Sequence, residues 1–369
     1  MIRLLIADDS PVFRHFLKKC MADMDDVEIV GEARDGEDTL AKITTLNPDV
    51  VTLDMSMPHM NGMQALHAMR KECPAVKAIV LTSGDESEAD LTVAALDAGA
   101  FDFILKPHAS VRDAKADLIA SLYPRLQAVG KMIRQSATRR QNLSAIKRQP
   151  EVNKAVRIGV PDVIAIGAST GGPQALHAVL SALPDSLKVP IVLTQHMPKL
   201  FLQSLSERLE RETALTCTLA DEGTILQGGH IYIAPGDVHL ELSRQGMNLL
   251  CHLVDSPAVH YCRPAVDPMF FSLAALAPRI RTLAVVLTGM GEDGAAGAKA
   301  ISDAKGYVIS QDQASSVVWG MPGATLACGA AHAVLPLDDI AAAVMAMCSR
   351  ASRNTENCKY GGEYARSAV

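Results

Sequence analysis

The strongest constraint on this chain is a pattern that occurs twice. Short aliphatic runs, each closed by a small or acidic residue, alternate with stretches long enough for a helix. In the first half the runs are RLLIA (3–7), VEIVG (27–31), VVTL (50–53), AIVLT (78–82) and FDFIL (101–105). That spacing predicts parallel strands joined by helical crossovers, hence an α/β fold with a doubly wound five-stranded sheet. The pattern restarts at VIAIG (163–167) and continues through PIVLT (190–194), LAVVLTG (283–289) and YVIS (307–310). Between these lie HIYIA (230–234), HLEL (239–242) and NLLCHLV (248–254), with turn signals at Gly228–Gly229, Pro235–Gly236 and Gln245–Gly246. The second half therefore reads as another doubly wound α/β domain, with an antiparallel β portion inserted or at its edge.

The 369 residues suffice for two domains of ordinary size. Their expected bounds are 1–127 and 159–349, with a linker at 128–158 and a polar tail at 350–369. A helix is expected over about 110–133. After it, KMIRQSATRRQNLSAIKRQPEVNKAVR (131–157) is basic and lacks apolar periodicity, although its first turns can continue that helix. This run has no interleaved aromatics and the net charge is −6, so nucleic acid is not an expected partner. The eight cysteines form no CxxC pair, which argues against structural zinc and for a reduced compartment. No apolar run approaches the ~20 residues of a membrane span, and MIRLLIADDS meets two acids too early for a signal peptide. A cytoplasmic monomer is the expectation.

Asp8 and Asp9 follow the first run, Asp54 the third, Thr82 ends the fourth and Lys106 follows the fifth. Parallel strands bring these ends to one sheet edge. Three carboxylates there repel one another unless a hard cation such as Mg²⁺ sits among them. The plainer reading, acids that merely begin helices, explains Asp9–Ser10–Pro11 but not the whole set. DD at 8–9, DMSMPHMNG (54–62), Thr82–Ser83 and KP at 106–107 resemble response-regulator receiver domains, flavodoxin-like in fold. The resemblance implies that Asp54 accepts a phosphoryl group from a chemotaxis histidine kinase. It implies Mg²⁺ on Asp9, Asp54 and the Ser56 carbonyl, with Asp8 acting through water. Lys106 and Thr82 would contact the phosphoryl oxygens, Phe103 would be an aromatic switch, and Lys106–Pro107 would be cis.

In the second half, Gly167-Ala168-Ser169-Thr170-Gly171 fits G-x-S-x-G, a tight strand-to-helix turn that exposes a serine. The motif alone is weak, since small residues also let a helix pack close to a strand. His196 ends PIVLTQH, and Asp293 lies in the loop after LAVVLTG, so nucleophile, base and orienter fall at three strand ends. The order Ser…His…Asp differs from that of α/β-hydrolases. IGASTGGP (166–173), TQHMP (194–198), YIAPGDVHL (232–240), RPAVDPMF (263–270) and LTGMGEDGAAG (287–297) resemble the catalytic domain of chemotaxis protein-glutamate methylesterases, in which a receiver precedes that domain. The resemblance implies catalysis by Ser169, His196 and Asp293 rather than Glu292. It places Thr170 beside the nucleophile and makes the Met290 amide an oxyanion donor. Arg263 is a candidate substrate contact whose charge could equally serve an ion pair. The implied activity is phosphorylation-activated demethylation of glutamate γ-methyl esters on methyl-accepting chemoreceptors, with glutamine deamidation by the same groups and no cofactor for the esterase. The alternative is a phosphorylation-switched binding module with an inactive esterase-like output domain.

Overall fold

The computed structural model describes residues 1–107, 113–141 and 159–349. The chain divides into two compact units, Met1–Gln149 and Pro150–Val369. The expected polar tail and residues 142–158 of the expected linker lie outside the described residues.

The first unit runs β1 (Ile2–Ala7), α1 (Pro11–Met21), β2 (Val27–Ala33), α2 (Gly36–Leu46), β3 (Val50–Asp54), α3 (Gly62–Glu72), β4 (Lys77–Thr82), α4 (Glu86–Asp97), β5 (Asp102–Leu105) and α5 (Ala114–Gln141). Its five strands pair in parallel in the order β2-β1-β3-β4-β5. Helices cover both faces, so β1, β3 and β4 are nearly continuous aliphatic runs. Local signals start the helices. Ser10 caps α1 by accepting from the Phe13 amide, with Pro11 at the first position. Asn61 and Gln64 form a capping box on α3. The last helix runs to Gln141, through the first turns of the basic stretch, as the sequence allowed. One expectation needs correcting. The cis bonds among the described residues are Arg263–Pro264 and Ala277–Pro278, so Lys106–Pro107 is trans. Lys106 reaches its carboxylate partners without a cis bond.

The second unit runs β6 (Val163–Ala168), α6 (Gly172–Ser181), β7 (Ile191–Gln195), α7 (Lys199–Glu212), β8 (Thr216–Leu219), β9 (His230–Ile233), β10 (His239–Gln245), β11 (Asn248–Val254), α8 (Val266–Ala275), β12 (Thr282–Val286), α9 (Ala295–Asp303), β13 (Tyr307–Gln311), α10 (Met321–Ala327), β14 (Ala333–Leu335) and α11 (Leu337–Cys348). Seven strands form a parallel sheet in the order β14-β13-β12-β6-β7-β9-β8, and β10-β11 form a separate antiparallel hairpin. The HIYIA run is thus a parallel strand beside β7, not part of the antiparallel portion. Two edge strands, β8 and β14, escaped the sequence reading. TCTL is half polar and AVL is only three residues long, so neither gives a clear period. Val266, Met269, Phe270 and Leu273 of α8 pack between the sheet residues Val163, Ala165 and Ala284 and the hairpin residues Leu240, Leu242 and Cys251. Each such large side chain contributes roughly 1.5–3 kcal/mol by leaving water. This wedge fixes the start of α8 near the central strand ends.

Candidate functional site

In the first unit, β1 and β3 are adjacent, so Asp8 and Asp54 emerge side by side at the sheet's carboxyl edge. Lys106, from the end of β5, places its ammonium 2.9 Å from Asp8 Oδ2 and 2.9 Å from Asp54 Oδ2. Asp54 is buried, and burial, with a smaller push from Asp8, holds its carboxyl above the ordinary range although Lys106 opposes this. Burial works against the charge on Lys106, but Asp54 and Asp8 outweigh it and raise its pKa. The same ammonium lies 5.0 Å from the centre of the Phe13 ring. Asp8, Asp9 and Asp54 each offer an oxygen, all within 4.8 Å of one another. Asp8 Oδ2 is buried and has no partner among the described residues besides the Lys106 ammonium. That oxygen and the convergent carboxylates fit a hard, oxygen-seeking cation. The Ser56 amide donates weakly to Asp54 Oδ1 at 3.4 Å, and Phe103 is buried.

Thr82 and Ser83 have a partner the sequence reading missed. The Glu88 carboxylate accepts from the Thr82 hydroxyl at 2.8 Å, the Ser83 amide at 2.7 Å and the Ser83 hydroxyl at 2.9 Å. Its other oxygen accepts from the Ser56 hydroxyl at 3.0 Å. Burial disfavours the charge on Glu88, but these donors, the Ser83 amide first, hold its pKa below the ordinary value. An anion therefore already occupies the hydroxyl and amide donors beside Asp54.

In the second unit, β6 lies between β12 and β7, and the register sets the site. Gly167 faces Thr194 on one side and Val286 on the other. One step on, the Ser169 amide donates to the Thr288 carbonyl at 3.0 Å, and the His196 amide donates to the Ala168 carbonyl at 3.1 Å. Ser169, His196 and the 288–293 loop thus leave adjacent strands at one edge. Asp293 is 1% exposed and takes four hydrogen bonds. Oδ2 accepts from His196 Nε2 at 2.6 Å and the Val266 amide at 2.6 Å, while Oδ1 accepts from the Asp267 amide at 3.0 Å and the Gly294 amide at 2.8 Å. Val266 and Asp267 open α8, whose N-cap Ala265 has no side-chain acceptor. Asp293 supplies that cap from another loop, and the helix N-terminus favours its negative charge. Burial disfavours the charge on Asp293, but His196 and these amides outweigh it and lower the pKa. For His196, burial disfavours protonation, yet Asp293 and the Cys262 side chain against the same ring raise its pKa.

The structure thus joins His196 to Asp293 and leaves Glu292 exposed. It does not hydrogen-bond the Ser169 hydroxyl to His196. No hydrogen bond engages the Met290 amide among the described residues. Thr170 is buried, and its carbonyl accepts from the Thr288 hydroxyl at 3.0 Å. Arg263 pairs with Asp255 at 2.8 Å and donates to the Ser256 carbonyl at 3.1 Å, so the ion-pair reading describes it. Sequence reasoning also missed Asp267, which accepts from His260 Nε2 at 3.2 Å and the Gly297 amide at 2.7 Å. Only the tertiary fold brings these residues together, and no local spacing announces them.

A five-stranded parallel sheet with a carboxylate cluster, followed by an α/β unit with Ser, His and Asp at one sheet edge, defines a receiver coupled to a hydrolase-like domain. Residues 4–115 match the response regulator receiver domain and residues 164–344 match the CheB methylesterase. A protein-glutamate methylesterase/protein-glutamine glutaminase of Geobacillus kaustophilus is 39% identical over 351 residues, covering 93% of this chain and 98% of its own. One of the same description from Pyrococcus abyssi is 36% identical, covering 99% of this chain and 96% of its own. The crystal structure of the Thermotoga maritima CheB methylesterase catalytic domain is 38% identical, covers 51% of this chain and 98% of its own, and superposes with a TM-score of 0.49. The chain belongs to the CheB methylesterase family. Among the described residues no helix is long and apolar enough to cross a membrane.

Proposed function

We propose that this chain is a protein-glutamate methylesterase and protein-glutamine glutaminase that acts on chemoreceptors and is activated by phosphorylation of Asp54. The observation that carries the reading is the buried Asp293 carboxylate, fixed by three backbone amides and bonded to His196 at the edge where Ser169 emerges. With Nε2 committed to Asp293, Nδ1 of His196 takes the Ser169 proton as the hydroxyl oxygen bonds to the γ-carbonyl carbon of a glutamyl methyl ester. The Met290 amide stabilises the oxyanion, by roughly 3–4 kcal/mol. The imidazolium returns the proton as the carbon–oxygen bond to the methoxy group breaks, and methanol leaves. Water, deprotonated by His196, then releases glutamate and restores Ser169. The same steps on a glutamine side chain release ammonia.

In the receiver, Asp8, Asp9, Asp54 and the Ser56 carbonyl would hold Mg²⁺, which neutralises charge on the transferring phosphoryl group when bound. A histidine kinase supplies that group. The first test measures methanol release from methylated receptor membranes, with and without a small phosphodonor and Mg²⁺. Asp54→Asn is expected to keep its basal release and lose all stimulation by the phosphodonor. Stimulation that survives in Asp54→Asn would place the switch elsewhere.

Glu88 competes in this scheme, because it holds the Thr82 hydroxyl and Ser83 amide that the phosphoryl oxygens need. Glu88→Ala is expected to speed phosphorylation of Asp54 by roughly tenfold, the weight of one charge-assisted hydrogen bond. A time course of phosphoprotein formation with a small phosphodonor checks this. An unchanged or slower rate would mean that the carboxylate does not compete.

A further inference from the structure

We propose that Gln195 is a positioning residue whose carboxamide ties the turn carrying Ser169 to the loop carrying His196. The inference rests on the reading of Ser169 as nucleophile and His196 as base. Gln195 ends β7 and is 2% exposed. Its Nε2 donates to the Ser169 carbonyl at 3.0 Å and to the His196 carbonyl at 3.1 Å. Both acceptors are carbonyl oxygens, so only the amide nitrogen can face them, and the orientation of the group is fixed by its partners.

The rest of the neighbourhood gives the arrangement its meaning. The Ser169 carbonyl also accepts from the Gly172 amide at 2.7 Å, whereas the His196 carbonyl receives its hydrogen bond from Gln195 alone among the described residues. The Gln195 Oε1 atom is buried without a hydrogen-bond partner. An unpaired buried oxygen is unfavourable, and a leucine of similar size would avoid it. The carboxamide is therefore kept for its two donors. Oε1 sits where a side chain on Gly172 would begin, so a Cβ there would collide with it. Gly172 leaves room for the clamp, and the clamp couples two loops whose side chains must meet. A misplacement of about 1 Å between reacting groups costs on the order of 100-fold in rate.

The test uses the full chain and compares Gln195→Leu, Gly172→Ala, the double variant and Ser169→Ala. Methanol release gives kcat and KM, and a fluorophosphonate probe gives the rate and final extent of Ser169 labelling. Gln195→Leu is expected to lower kcat by roughly 100-fold with KM nearly unchanged, and to slow labelling in parallel without lowering its final extent. The pH midpoint of labelling should stay put, because the His196–Asp293 pair is intact. Gly172→Ala should act in the same direction, and the double variant should be no slower than the slower single one, since both break one contact. Wild-type kcat in Gln195→Leu, additive losses in the double variant, or a reduced extent of labelling at unchanged rate would overturn the proposal. The last pattern is what simple misfolding gives. Full activity in Ser169→Ala would instead overturn the functional reading itself.

Discussion

Ser169→Ala is expected to reduce methanol release from methylated receptor membranes by roughly 10⁴- to 10⁶-fold, with folding and Asp54 phosphorylation intact. The side chain lost is small and half-buried at a strand end, and its backbone contacts to Thr288 and Gly172 do not need the hydroxyl. Stability should therefore change little. Removing the nucleophile leaves only binding and oxyanion stabilisation, which is why the expected residual rate is above zero. The measurement is the initial rate of methanol release at saturating phosphodonor, with thermal melting as the folding control. A variant that retains most of its rate would return Ser169 to a packing role in a tight turn.

Asp293→Asn is expected to cost roughly 10⁴-fold, and to move the acid limb of the pH–rate profile. The sign follows from the charge. His196 must be neutral to accept a proton, and Asp293 raises its pKa above the ordinary value. In the wild type, kcat/KM should therefore rise with pH through a midpoint above ~6.5. Asparagine removes the negative charge while keeping the size, so protonated His196 loses its partner and the midpoint moves to lower pH. With the amide oxygen in the place of Oδ1, the Asp267 and Gly294 amides keep their acceptor, while the NH2 in the place of Oδ2 leaves the Val266 amide without one, so thermal melting is run as the folding control. A midpoint that stays fixed while the rate falls would mean that Asp293 orients the ring without controlling its charge. A midpoint that rises would contradict the electrostatics outright.

The two families of strands were legible because a parallel strand covered on both faces must be an aliphatic run. The runs from β1 to β5 and at β6, β7 and β13 stand within a residue or two of their observed ends, and the run at β12 overshoots its end by three. Sheet edges were less legible. Edge strands need less burial, so Thr216–Leu219 and Ala333–Leu335 carry no distinct pattern, and β9 reads alike whether its neighbours run parallel or antiparallel. The candidate site residues were legible for a related reason. Side chains that follow parallel strands share one edge, so Asp8, Asp54 and Lys106, or Ser169, His196 and Asp293, can be grouped from the strand pattern alone.

By itself the sequence determined two doubly wound units, the strand ends that carry chemistry, and the residue types standing there. Only the tertiary structure decided which groups touch. It capped α8 with Asp293, bonded His196 through Nε2, placed Glu88 on Thr82 and Ser83, paired Arg263 with Asp255 and set Gln195 across two carbonyls. The physical reason is range. Hydrophobic periodicity is a local property of a strand or helix, while a hydrogen bond between loops depends on where distant elements bring their ends. Asp293 and His196 are separated by 97 positions along the chain and by 2.6 Å in space.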